Sequence, residues 1–108
     1  MQGNKDRNLI VELTFVFALA IIKYAEQLEQ KRKFVLATQL LKSGTSIGAN
    51  VREVQNAESK ADFIDEVEYW LLLCDRSEGY PECKDLLVSC ASIIKVLSKI
   101  IASSKSRG

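Results

Sequence analysis

The sequence predicts an all-α fold: a single domain over residues 1–108 built as an antiparallel, up-down-up-down bundle of four helices. Three observations carry this. Hydrophobic residues make up 47% of the 108, ample for one core. One proline and five glycines interrupt them, which favours a few long elements over many short ones. Apolar residues also recur at steps of three and four through four successive segments, the spacing of one helical face.

The first helix is expected over residues 8–30. Leu13, Phe17, Ala20, Tyr24 and Leu28 form one stripe, and Val11, Phe15, Ala18, Ile22 and Ala25 form a second nearly opposite it. A monomeric bundle needs one buried face, so the second stripe predicts a homo-oligomer. The polar residues 1–7 are expected to form a frayed arm. Lys31, Arg32 and Lys33 end the helix, where cations complement its negative end, and open a short turn.

The second helix is expected over residues 34–56. Its centre, Gln39-Leu-Leu-Lys-Ser-Gly-Thr-Ser-Ile-Gly-Ala-Asn-Val-Arg-Glu53, looks like a glycine loop. Yet Ala37, Leu40, Gly44, Ile47, Val51 and Val54 keep one face in phase straight through it, which a loop has no reason to do. The expectation is a helix with a notch of small residues, in which Gly44 and Gly48, one turn apart, admit a neighbouring helix closely. Each glycine costs about 1 kcal/mol of helix propensity. Ser43, Ser46, Asn50 and Glu53 complete this packing motif as a polar ridge that fixes register by hydrogen bonds.

The third helix is expected over residues 59–76. Ser59-Lys-Ala-Asp62 resembles a capping box, and Phe63, Val67, Trp70 and Cys74 follow at core spacing. Ser77-Glu-Gly-Tyr-Pro81 stops it, since Pro81 lacks an amide donor and Gly79 tolerates a positive φ. The fourth helix is expected over residues 82–103. Leu86, Cys90, Ile93, Leu97 and Ile100 form its seam, and Cys83, Leu87, Ile94 and Ile101 widen it. A polar, mobile tail is expected from residue 103.

Composition argues against chemistry. Histidine is absent, which removes the usual general base and the commonest metal ligand. A serine beside Glu53 therefore has no activating base. Glu53, Glu58, Asp62, Asp65 and Glu66 lack the Glu-x-x-His pattern of di-metal bundles. No catalytic, cofactor-binding or metal site is expected, and no small-molecule substrate. Cys74, Cys83 and Cys90 form no C-x-x-C pair and read as small buried hydrophobes in a reducing cytosol. The longest apolar run, Leu9–Ile22, is shorter than the ~20 residues a bilayer requires. A cytoplasmic protein with no membrane partner is the expectation.

Net charge is +1, but residues 1–56 carry +3, residues 57–82 carry −6 and residues 83–108 carry +4. Lys31, Arg32, Lys33, Lys42 and Arg52 are the candidate contacts to RNA or DNA in the first half, with Lys95, Lys99, Lys105 and Arg107 in the second. The ordinary alternative is a set of solvated lysines on helix surfaces. An oligomer would repeat each basic patch and let phosphate contacts accumulate. Two functions stay open on residues alone: an accessory of nucleic acid or of a nucleic-acid enzyme, and a protein-interaction scaffold that binds none.

The Leu9–Tyr24 helix, the Gln39–Glu53 motif, Ser59-Lys-Ala-Asp-Phe-Ile64 and Glu68-Tyr-Trp-Leu71 together resemble the 23S ribosomal RNA intervening-sequence protein family over nearly the whole chain. The resemblance implies a bacterial four-helix bundle without established enzymatic activity, assembled as a homopentameric ring. A related branch serves diversity-generating retroelements, beside a reverse transcriptase and nucleic acid. One departure stands out, because only Asp65, Glu66 and Val67 separate the last two elements where the family has roughly eleven residues more. That is close to three turns, so the helix is expected to be short with its buried face still in phase.

Overall fold

The computed structural model describes residues 2–49 and 57–107, and among these there are four helices and no strand. They are α1 (Gln2–Gln30), α2 (Phe34–Ala49), α3 (Ala57–Arg76) and α4 (Lys84–Arg107). α1 packs on α2, α2 on α3, α3 on α4, and α4 back on α1, around one core. The molecule measures 47 × 21 × 18 Å.

Several boundaries differ from expectation. The arm expected over residues 1–7 is helical from Gln2, and α4 continues through the expected tail to Arg107. Once a helix is nucleated, each added residue gains a hydrogen bond, so a polar segment without proline simply extends it. α3 starts at Ala57, so Ser59 lies inside the helix and is not its cap. α4 starts at Lys84 because Cys83 caps it: the Leu87 amide donates to the Cys83 carbonyl at 3.1 Å. With 20 residues, α3 is also longer than expected and exceeds the 16 of α2 up to Ala49. Val51 and Val54 lie outside the described residues.

The α4 seam is buried as its spacing predicts, from Leu86 through Ile100. On α1 the buried row is Ile10, Thr14, Phe17, Ile21, Tyr24, Ala25 and Leu28. Leu13 and Ala20 are only half-buried, and Ala25 belongs to the core, not to the outer stripe. Thr14 can be fully buried because its hydroxyl donates to the Ile10 carbonyl at 2.7 Å, which leaves no polar group unpaired. On α3 the row is Ile64, Val67, Leu71 and Cys74. Phe63 and Trp70 flank it half-buried.

Two turns close the same end of the bundle. At the end of α1, Arg32 adopts φ 62°, the Arg32 amide donates to the Glu29 carbonyl, and the Lys33 amide donates to the Leu28 carbonyl at 2.8 Å. This is a Schellman cap, which usually places glycine at the left-handed position. After α3, Gly79 takes φ 81° as its place in the turn predicts. Tyr24, buried in α1, donates its hydroxyl to the Pro81 carbonyl at 2.7 Å and ties the second turn to the first helix.

Candidate nucleic-acid interface and apolar face

The notch is built by α2 against α1. A Cβ at Gly44 would lie 2.9 Å from Cγ2 of Ile21, closer than side chains pack, whereas one at Gly48 would lie 3.7 Å from the Thr14 carbonyl oxygen, an ordinary contact. Glycine is thus required at Gly44 and merely accommodated at Gly48. Around it, the hydroxyls of Ser43, Thr45 and Ser46 donate to the carbonyls of Gln39, Leu41 and Lys42, four residues back in the same helix. For Ser43, the bond lets a polar side chain be buried within the notch. Asn50 and Glu53, the other members of the expected ridge, lie outside the described residues.

The candidate basic residues separate into distinct settings. Lys31, Arg32 and Lys42 are exposed. Lys33 is half-buried, with its ammonium 4.8 Å from the centre of the Tyr80 ring. This cation–π contact draws Lys33 toward the second turn. It also brings the two turns together, so exposed Glu78 and Glu82 share this end of the molecule with Lys31 and Arg32. Arg52 lies outside the described residues, and Lys95 and Lys99 are exposed on α4.

The buried thiols are unsuited to nucleophilic work. Burial pushes Cys90 up to about 12, with the nearby Glu68 charge adding to it. Cys74 and Cys83 are likewise raised chiefly by burial, and Cys83 donates to the Leu71 carbonyl at 3.3 Å. The Tyr24 hydroxyl is raised by burial first and by the two neighbouring cysteines second. Among the described residues there is no group of three or more His, Cys, Asp or Glu side chains able to hold a metal ion.

The sequence analysis underestimated one surface. Val11 (43%), Phe15 (63%), Val16 (57%), Leu19 (50%) and Ile22 (38%) are all exposed on α1. Val11, Phe15 and Ile22 realise the expected outer stripe, while Val16 and Leu19 widen it. By length and composition, Asn8–Gln30 and Lys84–Ser103 could each cross a bilayer, with 33% and 28% of those windows buried inside the bundle. The limit set by the Leu9–Ile22 run was therefore too strict, because the helix continues well past Ile22.

The profile of the 23S rRNA-intervening sequence protein family matches residues 6–99. The chain belongs to this family. A protein of unknown function from the S23 ribosomal protein family of Bacteroides thetaiotaomicron, known from a crystal structure, has the same fold with a TM-score of 0.82. It is 30% identical, and the superposition covers 90% of this chain and 98% of that one. No curated protein matches the chain. In this member of the intervening-sequence family, sequence reasoning missed Ile21 and Thr14, which meet the notch, and Tyr24 as an anchor of the second turn. The four-residue step from Ile10 to Thr14 was the available signal for the first pair. No local signal could pair Tyr24 with Pro81, 57 residues away.

Proposed function

We propose that the chain is a non-enzymatic, self-associating helical bundle that serves in the cytoplasm as an accessory of nucleic acid, displaying Lys31, Arg32 and Lys42 on the assembled particle. The carrying observation is the exposed apolar surface of α1, from Val11 to Ile22. Such a surface is costly to leave in water and marks a contact. Exposed Glu12, Lys23 and Glu26 on α1, and Lys95 and Lys99 on α4, favour a protein contact over a lipid one. An up-down-up-down course is supported by the notch, since advancing from Gly44 to Gly48 on α2 retreats from Ile21 to Thr14 on α1. Closure as a pentameric ring rests on the family resemblance.

Phosphate neutralisation releases counterions, so binding to structured RNA or to DNA should weaken steeply between about 50 and 200 mM salt. Replacing Lys31, Arg32 and Lys42 together by glutamine should flatten that slope without unfolding the bundle. Absence of binding by the wild type at the low-salt end would overturn the nucleic-acid part of the reading. The second reading, a scaffold that binds no nucleic acid, is favoured by the Lys33–Tyr80 contact and by the acidic neighbours of Lys31 and Arg32. It predicts assembly with no salt-sensitive binding at all.

A further inference from the structure

The outward faces of α3 and α4 carry the same pattern read in opposite directions. Asp62, Glu66 and Leu73 follow one another at steps of four and seven, and so, read backwards, do Lys99, Lys95 and Val88. All six side chains are exposed, Leu73 at 38% and Val88 at 66%. Steps of four and seven hold each trio on a single helical stripe. Among the described residues none of the four charges forms an ion pair within the chain.

Their heights along the bundle also agree. The segment 77–83 joins Arg76 to Lys84, so levels can be counted outward from those two helix ends. Leu73 is 3 residues from its end and Val88 is 4 from its own. Glu66 is 10 and Lys95 is 11, while Asp62 is 14 and Lys99 is 15. The offset stays at one residue, about 1.5 Å of rise, well within the reach of a lysine. A rotation axis parallel to the helices leaves every residue at its own height. In any closed assembly about such an axis, α3 of one copy and α4 of the next would run antiparallel in this same register.

We propose that in the assembled protein α3 of one copy lies beside α4 of the next, with Asp62 and Glu66 facing Lys99 and Lys95 and Leu73 facing Val88. This rests on the reading that the chain self-associates and goes beyond it by naming an interface and its register. The apolar surface of α1 gives adhesion without a unique alignment. The charged row supplies one, because a shift of about one turn along the axis brings each acid past its lysine, and a parallel approach sets like charges together.

The test is the solution mass of the full chain, by light scattering, for wild type and three variants. Asp62→Lys/Glu66→Lys and Lys95→Glu/Lys99→Glu should each lose the assembled species, and the fourfold variant combining them should regain it. Helical circular dichroism checks that each remains folded. If a double variant unfolds, Glu66→Gln/Lys95→Gln replaces it, with dissociation of the assembly at lower salt than wild type as the expected shift. Double variants that keep the wild-type mass, or a folded fourfold variant that stays dissociated, would overturn the interface while self-association stands. A monomeric wild type would overturn both.

Discussion

α4 and α1 are both long helices that contribute a full row to the core, yet they were not equally readable. On α4 the apolar seam is set off by an opposite face of Lys84, Lys95, Ser98 and Lys99, and burial follows the spacing. On α1 the stretch from Leu9 to Ile22 is apolar on nearly every side, so spacing alone permits several faces. The structure chooses the face that places Ile21 and Thr14 against the notch. Contrast between faces orients a helix, and where contrast is missing, fit to one partner decides.

That comparison is most strongly tested by truncating the two sides of α1. Ile21→Ala should lower stability by about 2–5 kcal/mol, read from urea unfolding of the monomeric or assembled chain. Phe15→Ala should leave the unfolding of the isolated bundle nearly unchanged and weaken assembly instead. Equal losses at the two positions would mean that the inner and outer faces have been misassigned.

Alkaline pH probes the α4 side. The Cys90 thiol has an ordinary value of 9.0 and is raised to about 12 in the folded chain. Its raised folded pKa gives stability that is fully present below pH 9.0 and is lost as pH rises toward the folded value. The unfolding free energy should therefore fall by up to about 1.4 kcal/mol per pH unit from this group alone. Cys90→Val should flatten that decline in pH-dependent unfolding, and an unchanged slope would show that Cys90 is not the group responsible.

The notch separates two glycines that look equivalent in sequence. Gly44→Ala forces Ile21 aside and should destabilise by about 1–3 kcal/mol. Gly48→Ala meets only an ordinary contact and should be neutral or stabilising by up to about 1 kcal/mol through helix propensity. Thermal melts of the pair check this, and matching shifts would remove the distinction. The smallest effect is expected at the cap of α1, where Arg32→Gly relieves the left-handed conformation and should raise stability by up to about 1 kcal/mol. A loss of stability there would mean that the Arg32 side chain makes a stabilising contact that outweighs its backbone cost.

Much of the architecture was legible because it lies in local periodicity. Four helices, the in-phase notch, the stop at Gly79 and the whole α4 seam follow from spacing and turn chemistry. The misses share a cause. Phe63 and Trp70 were placed in the core, but Ile64 and Leu71, one residue on, hold it, since adjacent apolar pairs leave the face ambiguous by about 100°. The candidate interface was less legible still. Lys33 could not be separated from Lys31 and Arg32 without its contact to Tyr80, which joins two turns far apart in sequence.

Light scattering of the wild-type chain beside Phe15→Glu tests the central claim that α1 faces outward in order to be covered by another copy. The wild type should give a whole-number multiple of the 12.1 kDa chain mass, and the folded variant should give 12.1 kDa itself. A wild type that remains at 12.1 kDa, or a variant that keeps the wild-type mass, would contradict it.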